Sequence, residues 1–227
     1  MNMVAGIYYP DAGQIFVDGK EVTIASPKDA FAYKIGMIHQ HFKLVDVFTA
    51  CENVALGVED EGRYRVADVR KKVIEITQRY GFILDPDKRV ADMSVSEKQT
   101  VEIIKVLYRG ADILILDEPT AGQDFRHYTE IMEFLKELNR QGITVLMITH
   151  DMHLMMEYTP RTLVIGEEKL LADALAIEVL ANESLIAQAN LTKTSLYTLA
   201  EKMDITNPQG FISQFIQHDK EVRKTWQ

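Results

Sequence analysis

The sequence predicts an α/β fold built on a parallel sheet covered on both faces, and three observations lead to it. Two continuous apolar runs of strand length, 113–116 and 144–148, are separated by one amphipathic helical stretch at 125–139 and a turn near Gly142. A third apolar run follows at 161–165. Strands that are apolar along their whole length, alternating with helices, are the mark of a parallel sheet with helices packed on both sides. The composition supports such a core. Apolar residues are 47% of the 227, and 26% charged residues with only 12 Gly and 6 Pro argue against disorder. That length suits one domain, or one domain with an appendage.

Taken in chain order, the first elements are two short strand-like runs, 14–17 and 21–23, around Asp18-Gly19. Asp-Gly there predicts a hairpin, because Gly accepts the positive φ of a type I′ turn. Residues 27–33 read as a helix with Pro27 in its first turn, and 35–39 as a short strand. Residues 66–80 place Val66, Val69, Val73 and Ile76 on one helical face and stop at Gly81. Residues 96–108 are helical by pattern, with Val101, Ile103, Ile104 and Leu107 on one side. After about residue 173 only helices are expected. Leu196, Leu199, Ala200 and Met203 share a face, and Asn207-Pro208 opens a helix carrying Phe211, Ile212, Phe215, Ile216 and Val222. A boundary near 173 therefore separates a main module, 1–173, from a helical appendage, 174–227.

Charge and cysteine usage narrow the function classes. A formal net charge of −9 argues against a general nucleic-acid binder, which carries a basic face. The single cysteine, Cys51, makes no internal disulfide, and packing beside Val54 and Leu56 is its plainer role. The opening residues MNMVAGIYYP lack the basic and apolar regions of a signal peptide. No run approaches the roughly 18 apolar residues of a membrane span. A soluble cytoplasmic protein is expected, with any work at a membrane done through a partner.

In open parallel sheets, ligands sit at the carboxyl ends of the strands. Asp117 and Glu118 end the 113–116 run. An Asp there suits Mg²⁺, and an adjacent Glu suits the orientation or deprotonation of a water. The plain alternative is a strand that simply ends in DEP at the surface. His150 ends the 144–148 run and could reach a γ-phosphate, or be an ordinary surface or core histidine. Gln40 follows the 35–39 strand, where its amide could ligate Mg²⁺ or hold a water, or be a polar loop residue. His39 and His41 flank it, and no Cys or carboxylate cluster completes a metal site with them. Ser94 and Ser96 open the helix leading to Asp117. Their hydroxyls and the local N–H groups suit an anion, and equally suit plain helix capping.

These pieces stand in one order: Gln40, MSVSEKQ at 93–99, ILILDEPT at 113–120, AGQD at 121–124 and ITHD at 148–151. In order and spacing they resemble the ATP-binding cassette ATPases. The resemblance implies a P-loop NTPase-type parallel sheet, a helical subdomain at roughly 45–110 and the helical tail. It implies that Gln40 is the Q-loop glutamine, 93–97 the signature motif, Asp117 and Glu118 the Walker B aspartate and catalytic glutamate, Asp124 the D-loop aspartate, and His150 the switch histidine. It also implies ATP and Mg²⁺ as cofactors, with Asp117 and Gln40 toward Mg²⁺ and Ser94, Ser96 and Asp124 toward nucleotide. The partners implied are a second cassette and membrane permease subunits, on the inner face of the cell membrane. Residues 1–120 look like simple-sugar and nucleoside importer cassettes. Residues 119–227 look like the energy-coupling-factor ATPases that import vitamins.

Two departures accompany the resemblance. No G-x-x-x-x-G-K-[ST] occurs in the 227 residues. The phosphate-binding loop and its strand are therefore expected to be missing, and a gap is expected in the sheet, with Met1 inside the helix after the loop. Ser96 stands where the signature usually has its second Gly. Two readings follow: an importer subunit that couples ATP hydrolysis to solute uptake, or a catalytically deficient cassette that only binds partners or donates its signature face.

Overall fold

In this computed structural model, the residues described are 1–56 and 66–224. They form two compact units, Met1–Ile148 and Thr149–Gln227. At the centre of the first unit is a parallel sheet of three strands, β3 (Ile35–Ile38), β4 (Ile113–Asp117) and β5 (Thr144–Ile148), in the order β3-β4-β5. Leu114, Ile115 and Leu116 of β4 are fully buried, as a central strand requires. Ahead of the sheet, β1 (Ile15–Val17) and β2 (Lys20–Val22) form the expected hairpin. Asp18 and Gly19 take φ of 52° and 74°, the turn geometry that Asp-Gly favours. Helix α1 (Pro27–Ala32) is capped by Ser26, whose hydroxyl accepts the Asp29 N–H.

Three helices follow β3. They are α2 (Ala50–Ala55), α3 (Val66–Tyr80) and α4 (Val95–Tyr108), and they pack on one another. A capping box at each of α2 and α4 satisfies orphan N–H groups: Thr49 with Glu52, and Ser94 with Glu97. Residues 57–65 of the proposed helical subdomain lie outside the described residues. Helix α5 (Phe125–Arg140) joins β4 to β5 and buries Tyr128, Ile131, Met132, Leu135 and Leu138 at helical spacing.

The second unit holds α6 (Met152–Tyr158), β6 (Thr162–Gly166), β7 (Lys169–Ala174), α7 (Ala176–Ala181), α8 (Glu183–Gln188), α9 (Ser195–Lys202) and α10 (Pro208–Lys224). The run at 161–165 was expected to join the parallel sheet. It instead pairs antiparallel with β7, a strand over residues where the sequence pattern predicts none. The turn between them, Glu167-Glu168, takes φ of 49° and 61°. Two glutamates carry no turn signal, so this I′-like hairpin is invisible to turn chemistry. The core of this unit gathers Met155, Val164, Val179, Leu180, Tyr197 and Ile212. The compact units part at 148, whereas 173 marks a change in composition; the latter remains a proposal about where the main module ends.

An ion pair ties α6 to α10. The Glu157 carboxylate is 1% exposed and faces Arg223 at 3.0 Å, while Lys220 donates to the Glu157 carbonyl at 2.5 Å. Removing one partner strands a buried charge. Arg223→Met should therefore destabilise the second unit by about 3 kcal/mol in urea unfolding. The double variant with Glu157→Met should be milder; a double variant as damaged as the single would contradict this.

In the first unit, Gly36 is where β3 meets α4. A Cβ added there would lie 2.0 Å from Val106 Cγ1. Gly36→Ala should cost about 1–3 kcal/mol by overpacking, and adding Val106→Ala should recover part of it. Unchanged stability in Gly36→Ala would show that α4 is free to move away.

Candidate functional site

The parallel register decides where chemistry is possible. Ile38 pairs with Leu116, and Asp117 pairs with Ile148, so the carboxyl ends of the three strands finish at one edge of the sheet. A small cleft lies there, with room for about one water at about 10 Å³. Gln40, Asp117 and Glu118 all line it, together with His39, Gln99 and Gln123. Gln40 arrives from the end of β3, and the two carboxylates from the end of β4. Both acidic residues are half-buried.

Glu118 is the strained member. Its φ is 47°, in the left-handed region that non-glycine residues avoid, and its N–H donates to the Ile148 carbonyl of β5 at 3.0 Å. Such outliers persist where surrounding structure over-determines them, and they concentrate at functional sites. The hydrogen bond to β5 supplies that restraint and turns the chain just after the strand.

His39 adds an electrostatic feature. Burial holds its imidazole below the usual 6.5, with the Lys43 charge acting in the same direction and Glu102 and Asp117 opposing. It is therefore chiefly neutral at pH 7 and suited to a hydrogen-bonding rather than a charged role.

Gln99 and Gln123 were not singled out from the sequence. Gln99 is 4% exposed on the buried side of α4, and Gln123 Nε2 donates to Gln99 Oε1 at 3.4 Å. The available signal was a polar residue in register with the apolar face of that helix.

The remaining expected residues lie elsewhere. Ser94 is exposed and caps α4, accepting the Glu97 N–H at 3.2 Å. The Glu97 carboxylate accepts the Ser94 N–H at 2.8 Å and is held below the usual carboxylate range chiefly by Lys88. Ser96 is half-buried in the first turn of α4. Asp124 is exposed and caps α5, accepting from the Arg126 and His127 N–H groups; these bonds and the His127 ring lower its pKa. His150 is exposed and lies in the second unit, two residues beyond β5, so its relation to the cleft stays a proposal.

Among the described residues, no group of three or more His, Cys, Asp or Glu is arranged to hold a metal. Two carboxylates and an amide do converge. That hard-oxygen set fits a cation taking only one or two carboxylates from protein and the rest from phosphate and water, the habit of Mg²⁺.

A family model described as ABC transporter matches residues 1–121. The chain belongs to the ABC transporter family. Curated relatives are named putative ABC transporter ATP-binding proteins. One from Enterococcus faecalis is 42% identical over 225 residues, covering 98% of this chain and 39% of its own length. One from Staphylococcus aureus is 43% identical over 173 residues, covering 76% of this chain and 30% of its own. The chain thus spans well under half the length of these relatives. The Enterococcus match runs across nearly the whole chain, through residues 1–120 and 119–227 alike.

Among solved structures, cbiO1 from Clostridium perfringens, part of the ABC transporter complex cbiONQ, matches with a TM-score of 0.68 at 28% identity, over 90% of this chain and 81% of that one. The ADP conformation of MJ1267, an ABC transporter cassette, matches at 0.71 and shares the fold at 20% identity, over 82% and 80%. The ABC cassette fold, a P-loop NTPase-type α/β sheet, is thereby the fold of this chain. Among the described residues of this ABC family member, no helix is long and apolar enough to cross a membrane.

The neutral His39 carries a pH prediction. A histidine whose folded pKa is depressed stabilises the fold above its unfolded value and loses that contribution as pH falls through it. Urea midpoints should therefore drop between about pH 7 and pH 5, around the ordinary value of about 6.5. His39→Gln should flatten that drop; an equal drop in the variant would assign it to other groups.

Proposed function

We propose that this chain is part of an ATP-hydrolysing subunit of an ABC-type importer. The observation that carries the reading is the convergence of Gln40, Asp117 and Glu118 on one cleft at the strand ends. Asp117 and Gln40 would hold Mg²⁺, which when bound neutralises phosphate charge. Glu118 would orient the attacking water and take its proton. Its left-handed turn points the residue after Asp117 away from the strand direction, so the two carboxylates serve separate tasks. His150 would contact the γ-phosphate. Ser94, Ser96 and Asp124 lie outside the cleft lining and would face nucleotide held mainly by a second cassette.

The importer class rests on the resemblance of residues 1–120 to sugar and nucleoside cassettes and of 119–227 to vitamin-importing ones. Membrane permease subunits would be the partners, and the inner face of the cell membrane the location. The net charge of −9 argues against nucleic acid as a partner.

The phosphate cradle is the part these 227 residues do not contain, since no G-x-x-x-x-G-K-[ST] occurs among them. Among the described residues β5 is an edge of its sheet, although Thr-Val-Leu-Met-Ile is as apolar as a central strand. A further parallel strand carrying the loop would fit beside it. The second reading, a chain that only donates its signature face to a complete partner, is favoured by the same missing motif.

One experiment separates the two. We expect the 227 residues alone to release no phosphate at the roughly 1 s⁻¹ of slow enzymes. Fused to a strand and phosphate loop from a simple-sugar cassette, they should bind Mg-ATP with a rise in melting temperature. Glu118→Gln in that fusion should cut turnover by about 10²-fold or more. A fusion that hydrolyses equally well with Glu118→Gln would overturn the assignment of the base. A fusion that binds no ATP, while the chain accelerates a complete cassette, would favour the second reading.

A further inference from the structure

Four hydrogen bonds grip the backbone just downstream of Gln40. The Lys43 N–H donates to Glu102 Oε1 at 2.7 Å, and Lys105 Nζ donates to the Lys43 carbonyl at 3.0 Å. The Val45 N–H donates to Asn53 Oδ1 at 2.7 Å, and Asn53 Nδ2 donates back to the Val45 carbonyl at 3.0 Å. So both polar backbone groups of Lys43 are held from α4, and both of Val45 from α2. Asn53 is fully buried, Glu102 is buried at 9% side-chain exposure, and Lys105 is half-buried at 15%. Lys105 also lies 3.5 Å from Glu102, so each steadies the other.

Exposed loops do not need such anchors, because water satisfies their backbone. Committing a buried carboxylate and a lysine to one residue's backbone costs desolvation and rotamer freedom. A charge-assisted bond in such a site is strong and directional. The consequence is geometric. Helix α4 begins with the Ser94 cap and Ser96, and its middle holds the loop three residues after Gln40.

We propose that Glu102 and Lys105 are positioning residues, fixing Gln40 relative to Ser94 and Ser96 so that the Gln40 loop and the start of α4 move as one body. Any displacement of α4 then reaches the cleft directly, through the two residues between Gln40 and the grip. Asn53 extends the hold but acts from α2, so it secures the loop to the helices without linking it to α4. The mechanical link needs no catalytic assignment; its effect on turnover rests on the proposed role of Gln40.

Two measurements test it. The first is amide exchange on the folded chain, which reads local opening. Glu102→Ala should speed exchange at Lys43 by about 30-fold or more while Val45, held by Asn53, changes less than about threefold. Glu102→Gln, whose amide oxygen still accepts from Lys43, should restore most of the protection. Unchanged Lys43 exchange in Glu102→Ala overturns the proposal. If that variant unfolds the helices, Lys105→Met, which removes the bond to the Lys43 carbonyl and the lysine that steadies Glu102, carries the same comparison with the same deciding outcome.

The second uses the hydrolysis-competent fusion. Glu102→Ala should lower kcat about tenfold with KM within about twofold, and Gln40→Ala should add less than about twofold in that background, because both remove one placement. Fully additive losses overturn the link. If Gln40→Ala leaves the parent fusion unaffected, the proposed role of Gln40 fails, and Lys43 exchange still decides the grip.

Discussion

Everything at the cleft depends on the register of three parallel strands. Parallel strands run their carboxyl ends to the same edge, and the pairings Ile38 with Leu116 and Asp117 with Ile148 bring those ends level. A slip of one residue would turn Leu114 and Leu116 to the opposite face and carry Asp117 with them. Burial prevents it: Leu114, Ile115 and Leu116 are all fully buried, so no shifted register keeps the core dry. The same packing that excludes water from the sheet therefore fixes where the carboxylates project.

Glu118 is the point at which stability and site geometry diverge. A left-handed backbone at a non-glycine residue costs on the order of 1 kcal/mol. A glycine would adopt it freely, yet a glycine carries no carboxylate. The bond from the Glu118 N–H to the Ile148 carbonyl makes the turn a continuation of the β4–β5 pairing, which offsets that cost. The site is thus held by its neighbour strand rather than by local preference.

The fold was legible where burial alone writes the pattern. Residues 113–116 are apolar throughout because both faces of β4 are covered; 144–148 carry a similar apolar run although β5 is only half-buried, and both are parallel strands. Residues 18–19 were legible because Asp-Gly carries its own backbone preference. The hairpin of β6 and β7 was not, because Glu167-Glu168 occupies left-handed φ with no chemistry that advertises it. The run at 161–165 misled for a related reason: β6 alternates buried and exposed residues, as a hairpin strand does, but its exposed positions Leu163 and Ile165 are apolar. In the cleft, Asp117, Glu118 and Gln40 were readable from order and spacing. Gln99, Gln123 and the Glu102–Lys105 grip were not, because a polar residue on a helix is ordinary until the partner that buries it is known.

Several residues matched to nucleotide chemistry already have structural employment. Ser94 caps α4, Asp124 caps α5, and Asp151, next to His150, caps α6 with bonds to the His153 and Leu154 N–H groups. This follows from what a helix N-terminus is. It presents orphan N–H groups and a partial positive charge, so it suits either a capping oxygen or an anion. A cap contributes about 1 kcal/mol, and a ligand that takes over the same donors must exceed that before it gains anything. Phosphate does so through full charge, which a hydroxyl such as that of Ser94 lacks. Asp124 is different: its carboxylate is charged, is held ionised by the α5 N–H groups and pairs with His127. An anion arriving there meets a like charge, so the proposed nucleotide-facing role of Asp124 fits shaping the chain at the start of α5 better than touching phosphate.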